Sequence, residues 1–195
     1  MINSFMACIF WLSVLTLFYH LFGYGMILWL LNRIMGRKAS TNREIADYPT
    51  VTILCPAYNE ERDLDAKIQS FLQLDYPPEK VKLLVISDDS TDKTNAIVET
   101  YKDQRVQLLI QKPRRGKQAA HNLSLPYLDS DYVLSTDATA IFEPQSLMLL
   151  MQEMLSDPQI GLVSGKLKLV KGEGRQSGEG LYIRYESFLR DLDSR

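Results

Sequence analysis

Apolar runs of strand length alternate with amphipathic segments along most of the chain after residue 50. The apolar runs predict strands near residues 51–56, 81–87, 106–111, 131–136 and 160–170. The segments between them predict helices near residues 60–74, 91–103, 117–125 and 144–155. This alternation predicts an α/β fold in which a mostly parallel sheet is covered by helices on both faces.

The first 35 residues follow a different pattern. From Phe5 to Leu31 there is no Lys, Arg, Asp or Glu, and a bilayer needs about 20 apolar residues for one crossing. Basic residues follow at once, from Arg33 to Lys38, so the positive-inside rule predicts that the rest of the chain faces the cytoplasm. A cleaved signal peptide would need a basic start, a shorter apolar run and a small-residue cleavage site. Residues 1–35 are therefore predicted to be a membrane anchor.

Two details qualify the boundaries of this anchor. Tyr19 and His20 would lie near the middle of a single straight helix, so a tilted or re-entrant segment stays open as an alternative. Residues 36–49 are polar, lack periodicity and end at a proline, which favours a linker. The domain proper is then expected to span residues 50–195.

Composition removes several classes of function. The 195 residues carry 22 Lys and Arg against 24 Asp and Glu, so the chain lacks the charge imbalance typical of nucleic-acid binding. The two cysteines, Cys8 and Cys55, fall within apolar segments, which favours buried thiols over a disulfide framework or a metal site.

Acidic residues gather where the second predicted strand ends. Asp88, Asp89 and Asp92 lie within five residues, and helix capping explains only one or two of them. Carboxylates this close repel one another unless a cation or a donor-rich ligand meets them, which favours a binding function. For the polar stretch after the first strand, Asn59 to Glu61, capping and ligand binding are equally open.

Two further segments carry candidate chemistry. The basic residues between Lys112 and Lys117 precede a predicted helix, whose positive end would help to hold phosphate oxygens. Taken alone, this stretch lacks the spacing of a P-loop and is better explained as a solvated loop. Asp137 follows the fourth predicted strand and either caps the next helix or binds Mg²⁺ or Mn²⁺, which need only one or two carboxylates beside substrate phosphates. His121 is given no catalytic role.

Taken together, these segments resemble the family 2, GT-A type glycosyltransferases, which include cellulose-synthase-like and hyaluronan-synthase-like membrane enzymes. The matching elements are residues 56–61, 88–94, 116–122 and 135–139. The combination is far more specific than any one of them. The resemblance covers roughly residues 49 to 195 and implies a GT-A (Rossmann-like) domain behind an N-terminal transmembrane helix.

The resemblance also implies roles for individual residues. Ala57, Tyr58 and Glu60 would line the nucleotide pocket. Asp88 and Asp89 would recognise the base and ribose. Lys117 would approach the diphosphate, and Asp137 would bind the divalent cation. In the family the second acidic residue of the D-x-D element often binds the metal, and here that position is Thr139. Glu143 is the less favoured replacement ligand.

The implied reaction is an inverting transfer of a sugar from a nucleotide diphosphate donor, a UDP-sugar, to a polysaccharide or lipid-linked acceptor, with Mg²⁺ or Mn²⁺. Residues 180–195 resemble the helix that precedes the acceptor-binding half, so the chain is expected to be truncated there. No general base is identified, and the catalytic residue is left unknown. The alternative is a non-catalytic, membrane-anchored fragment that binds nucleotide sugar, or a subunit whose partner chain supplies the missing half.

Overall fold

The computed structural model describes residues 2–35, 45–165 and 185. The chain divides into two compact units, one formed by Met1–Thr41 with Lys168–Arg195 and the other by Asn42–Leu167. The helix predicted within residues 180–195 lies outside the described residues, except for Tyr185, which is helical.

The first unit begins with a long apolar helix. It consists of α1 (Ile2–Phe18), a π-helical turn (Tyr19–Gly23) and α2 (Tyr24–Met35). Within the described residues one stretch, Ser4–Leu31, is long and apolar enough to cross a membrane, with a mean hydropathy of 1.9. Length and composition are therefore compatible with the predicted anchor.

The prediction that both cysteines are buried thiols is wrong for Cys8. It lies on α1 and is exposed, whereas Cys55 is buried as expected. The difference arises because the apolar run around Cys8 forms a separate helix instead of contributing a strand to the core. Both cysteines have apolar neighbours in the sequence, but only Cys55 is buried in a core.

The second unit is built on a four-stranded, fully parallel sheet. Its strands are β1 (Val51–Ala57), β2 (Val81–Asp88), β3 (Val106–Gln111) and β4 (Tyr132–Ser135), in the order β3-β2-β1-β4. β1 and β2 are central and buried on both faces, which explains their nearly continuous apolar sequences. The parallel sheet and these four strands are confirmed.

Helices cover both faces of the sheet. They are α3 (Leu64–Leu72), α4 (Thr94–Thr100), α5 (Lys117–Ser124) and α6 (Ser146–Met154). Short 3-10 turns lie at Pro78–Lys80 and Leu125–Tyr127. One face packs α3, α4 and α6 around alternate strand residues such as Ile53, and the other packs α5 around their neighbours such as Leu54.

Some boundaries differ from the predictions. α3 and α4 begin at Leu64 and Thr94, a few residues later than predicted, because the preceding residues form loops that bond to each other. The strand predicted near 160–170 is wrong for residues 160–165, which have no strand structure. Residues 166–170 lie outside the described part of the chain.

Candidate functional site

The predicted site residues lie at one edge of the sheet. β1 ends at Ala57, β2 at Asp88 and β4 at Ser135, and because these strands are parallel their carboxyl ends lie side by side. In open α/β sheets this is the edge where ligands bind. Ala57 is buried, so its side chain belongs to the floor of this edge.

The loops after β1 and β2 are bonded to each other. The Asn59 side-chain oxygen accepts a 2.9 Å hydrogen bond from the Thr91 backbone N–H, and the Glu60 N–H donates to Thr94 Oγ1 at 2.9 Å. Asn59 has a φ of 54°, a conformation that asparagine tolerates better than most residues. Asn59 therefore fixes one loop against the other and does not cap α3.

Asp92 has a capping role. Its Oδ1 accepts the Thr94 N–H at 2.9 Å at the start of α4, and its Oδ2 accepts the Glu61 N–H at 3.1 Å. Burial acts to raise the pKa of Asp92, but the hydrogen bonds from Thr94 and Glu61 lower it below the ordinary value. Capping thus accounts for one of the three clustered carboxylates, as the simpler interpretation required.

Asp88 is buried and bonded to the basic loop that follows β3. Its two oxygens accept the backbone N–H groups of Arg115 and Gly116 at 2.9 and 2.7 Å. The Gln111 side-chain amide also donates to this carboxylate, and Arg114 Nε lies 3.9 Å away. Burial tends to raise the pKa of Asp88, yet these donors hold it below its usual value.

Asp89 differs from its neighbour. It has a φ of 58°, and it is only partly buried. Among residues 45–165 no hydrogen bond or ion pair engages its side chain. The pair predicted to recognise the nucleoside is therefore divided between one carboxylate that holds a loop and one that is available to a ligand.

Tyr58 and Arg114 meet above the same edge. The Arg114 guanidinium carbon lies 3.6 Å from the centroid of the Tyr58 ring, a close cation–π contact. Tyr58 is exposed, and Arg114 belongs to the basic loop that Asp88 holds. Tyr58 and Asp89 thus follow the ends of two adjacent strands, and one face of the Tyr58 ring is covered by Arg114.

The third part of the site is an ion pair. Lys117 Nζ, at the start of α5, lies 2.5 Å from Asp137 Oδ1, and more than half of each side chain is exposed. Burial raises the pKa of Glu60, and the negative charges of Asp63, Asp137 and Asp92 raise it further. Asp137 therefore contacts Lys117 directly and acts electrostatically on Glu60 at this edge.

His121 lies beside this ion pair on α5. Its Nε2 is 3.4 Å from Ser135 Oγ. Burial lowers the pKa of His121, the charge of Lys117 lowers it further, and Asp137 opposes both. His121 therefore lies next to the end of β4, and its pKa is below the ordinary value.

A sequence model of the family described as glycosyl transferase family 2 matches residues 52–190. The chain belongs to this family. The match includes β2, β3, β4, all of β1 except Val51, and every predicted site residue.

Individual relatives are similar over part of their length. A probable glycosyltransferase of Bacillus subtilis (strain 168), YdaM, is 27% identical over 64% of this chain. The poly-beta-1,6-N-acetyl-D-glucosamine synthase of Staphylococcus aureus (strain COL) is 24% identical over 80% of it. The chain spans only 31% and 37% of these two proteins, about a third of their length.

One solved structure resembles the fold closely. It is the mannosyltransferase PcManGT of Pyrobaculum calidifontis in complex with GDP-Man and Mn²⁺, which is 28% identical with a TM-score of 0.66. The similarity covers 75% of this chain and 44% of that protein. The GT-A fold expected for a family 2 glycosyltransferase is thereby confirmed.

The side chains at this edge that could ligate a metal fit a cation shared with substrate phosphates better than one held by protein ligands alone. Within residues 2–35 and 45–165 no three His, Cys, Asp or Glu side chains are grouped as metal ligands. Asp137 offers an exposed carboxylate, and Thr139 beside it is also exposed. A single carboxylate suits Mg²⁺ or Mn²⁺ when substrate phosphates complete the coordination.

One residue of this region was not predicted from the sequence. Lys67 on α3 is completely buried and contacts the loop that carries Asp137. A signal was present, because Lys67 follows Leu64 by three residues and precedes Phe71 by four, which puts it on the apolar face of the helix.

Proposed function

We propose that the protein transfers a sugar from a nucleotide diphosphate donor, a UDP-sugar, to a polysaccharide or lipid-linked acceptor, with inversion at the anomeric carbon. The observation that carries the proposal is the grouping of Tyr58, Asp89, Lys117 and Asp137 at the carboxyl edge of a family 2 domain. An aromatic face, a free carboxylate, a cation and a metal-binding carboxylate match the base, ribose, diphosphate and cation of such a donor.

Each side chain has a distinct task in this proposal. Tyr58 stacks on the base, with Ala57 and Glu60 forming the adjacent wall, and Asp89 accepts hydrogen bonds from the nucleoside. Asp88 acts through the basic loop it holds. Lys117 exchanges its partner Asp137 for the diphosphate. Asp137 then holds Mg²⁺ or Mn²⁺, which offsets the negative charge of the departing diphosphate.

The general base of the reaction is left unassigned. An inverting transfer needs a base within hydrogen-bonding reach of the acceptor hydroxyl. The relatives are about three times as long as the matched part, which is compatible with a base supplied outside this chain. The competing proposals are a membrane-anchored domain that binds nucleotide sugar without transferring it, and a subunit that docks a partner chain supplying the missing half.

The identity of the nucleotide is the finest part of the proposal. The name of the Staphylococcus aureus relative supports a polysaccharide product. The mannosyltransferase neighbour binds GDP-Man, so a guanine nucleotide is the alternative donor class. UDP and GDP therefore have to be compared directly.

Calorimetric titration of the detergent-solubilised chain tests the proposal. UDP and GDP are each added in the presence of Mn²⁺ and in the presence of a chelator, and a circular dichroism melt shows that the protein is folded. Metal-dependent binding of UDP in preference to GDP is expected. Tighter GDP binding would change the donor, and no binding by folded protein would leave the partner-subunit function ahead.

We also propose that residues 1–35 anchor the protein in a membrane, that residues 36–49 form a linker, and that residues 50–195 face the cytoplasm. The long apolar helix and the basic residues after it support this arrangement. Protease added to sealed vesicles of known orientation should cut the linker only when the cytoplasmic face is outside. Cleavage from the other side would reverse the assignment.

A further inference from the structure

Lys67 is an unusual buried cation. Its side chain is among the largest that are fully buried within the described residues, and lysine is rarely buried without a partner. Placing an ammonium group in an apolar environment is costly unless hydrogen bonds or charges compensate it. The contacts of the Lys67 ammonium therefore indicate its role.

All the direct partners of the ammonium lie on one short segment. Lys67 Nζ donates to Thr136 Oγ1 at 2.8 Å and to the Ala140 carbonyl oxygen at 2.5 Å. It also lies 3.5 Å from the centroid of the Phe142 ring. An ammonium has three hydrogens, and two oxygens and one ring face account for them.

These contacts enclose the segment that carries Asp137. Residues 136–140, here named the Asp137 turn, are held at one end by the Thr136 N–H bond to the Leu54 carbonyl at 3.0 Å. Lys67 forms hydrogen bonds with both ends of the turn, at Thr136 and at Ala140. By contrast, the carboxylate of Asp137 is bonded only to the exposed Lys117 among the described side chains.

The charge of Lys67 is also coupled to that turn. Burial lowers the pKa of Lys67 from 10.5 to about 8, against the opposing influence of Cys55 on β1 and of Asp137. Below that pH the group remains a cation and keeps its donors. The buried ammonium thus bonds to the turn that carries the exposed carboxylate of Asp137.

We propose that Lys67 is a positioning residue, which fixes the Asp137 turn so that the Asp137 carboxylate is held ready for the cation shared with the donor diphosphate. The inference rests on the proposed function. It differs from a general stabilising role, because a residue that only stabilises the fold would not act selectively on the metal-dependent part of nucleotide binding.

The test compares Lys67→Met with the wild type in the detergent-solubilised chain. Methionine keeps an unbranched side chain of similar length but removes the donors. UDP affinity is measured by calorimetry with Mn²⁺ and with a chelator. The gain in affinity produced by Mn²⁺ should fall by about tenfold, the usual effect of removing a group that orients a metal ligand. Affinity in chelator should be unchanged.

Two variants accompany this measurement. Thr136→Val removes one acceptor of the ammonium without removing Lys67, and should reduce the Mn²⁺ gain in the same direction by a smaller factor. Lys82→Met is the matched control, because Lys82 is paired with Asp129 at the opposite end of the sheet. It should leave both affinities at the wild-type values.

The outcomes separate this inference from the proposed function. If the wild type gains affinity from Mn²⁺ and folded Lys67→Met gains as much, the positioning role is wrong while the function stands. An equal loss with and without Mn²⁺ would likewise assign Lys67 to the fold alone. If Lys67→Met does not fold, Thr136→Val decides by the same criteria. If the folded wild type binds neither UDP nor GDP in a metal-dependent way, both proposals fall.

Discussion

The Gly116 backbone N–H donates a 2.7 Å hydrogen bond to Asp88 Oδ2, so the carboxylate that ends β2 holds the loop that begins α5. Gly116 has a φ of 84°, which a glycine adopts without strain. The bond connects the strand end to Lys117, the next residue along the chain. The conformation of the basic loop after β3 therefore depends on a buried carboxylate.

Replacing Asp88 and Asp89 separately should distinguish a loop-holding role from a ligand-binding role. Asp88→Asn turns an amide toward the N–H donors of Arg115 and Gly116, and the free energy of unfolding should fall by about 1 to 3 kcal/mol. Asp89→Asn should leave the unfolding free energy nearly unchanged and weaken UDP binding. Urea denaturation and calorimetry measure the two quantities. Equal effects of both variants on stability would contradict the division of roles.

Acid should remove the contribution of Asp88. Its pKa is lowered in the folded protein, so its stabilising effect is fully present above the unfolded value, about 3.9, and is lost as the pH falls through the folded value. Asp88→Asn carries no titratable group there. The gap in unfolding free energy between wild type and variant should thus stay constant from pH 7 down to about pH 4 and narrow as the pH falls further in urea titrations. A gap that does not narrow in acid would refute this.

The sheet was predictable from the sequence because strands that are buried on both faces have continuous apolar sequences. β1 and β2 are continuous apolar runs that stop at polar residues, and the strand ends then located Tyr58, Asp89 and Asp137. The later starts of α3 and α4 were not predictable, because loop-to-loop bonds such as that of Asn59 with Thr91 replace the first helical turns.

The roles of charged residues were harder to predict. Asp88 and Asp89 are adjacent and chemically identical, and only the tertiary position of the Gly116 loop separates them. Lys67 was overlooked because a lysine in an amphipathic helix is usually solvated, although its position on the apolar face of α3 indicated burial. Such assignments depend on contacts between elements far apart in sequence.

Tyr58 provides a test of base stacking. One face of its exposed ring is already covered by the Arg114 guanidinium at 3.6 Å, so a stacked base would use the other face or displace the guanidinium. Tyr58→Ala should weaken UDP binding by about 1 to 3 kcal/mol, and Tyr58→Phe should bind nearly as the wild type does. Tyr127→Ala, an exposed tyrosine elsewhere, is the control. Unchanged affinity of Tyr58→Ala in calorimetry would place the base elsewhere.

Lys117 should act on the phosphates and not on the nucleoside. Lys117→Met removes a cation that lies 2.5 Å from Asp137, and UDP affinity should fall roughly tenfold because a charged hydrogen bond to the diphosphate is lost. Uridine, which lacks phosphates, should bind equally to both proteins. Lys112→Met, in the same basic loop, controls for net charge. A parallel loss of uridine binding would assign Lys117 to another part of the site.

The titration of Lys67 predicts that stability increases with pH in an alkaline window. The folded pKa, about 8, is below the unfolded value of 10.5, so between these values the unfolded chain binds more protons and unfolding becomes less favourable as the pH rises. Since one pKa unit corresponds to about 1.4 kcal/mol, the gain is at most about 3.5 kcal/mol. The opposite trend comes from Cys55, whose pKa burial raises to about 11.

Separating the two groups requires a background without the thiol. Cys55→Ala and the double variant Cys55→Ala with Lys67→Met should be unfolded by urea at intervals between about pH 7 and pH 10.5, a range that includes the titration of Lys67. The single variant should gain stability over the double variant across this range, because only it relieves a buried charge on deprotonation. If the unfolding free energies of the two variants change with pH in parallel, the pKa of Lys67 is the same in the folded and unfolded states. That result would contradict the cost of burying the Lys67 ammonium on which the prediction rests.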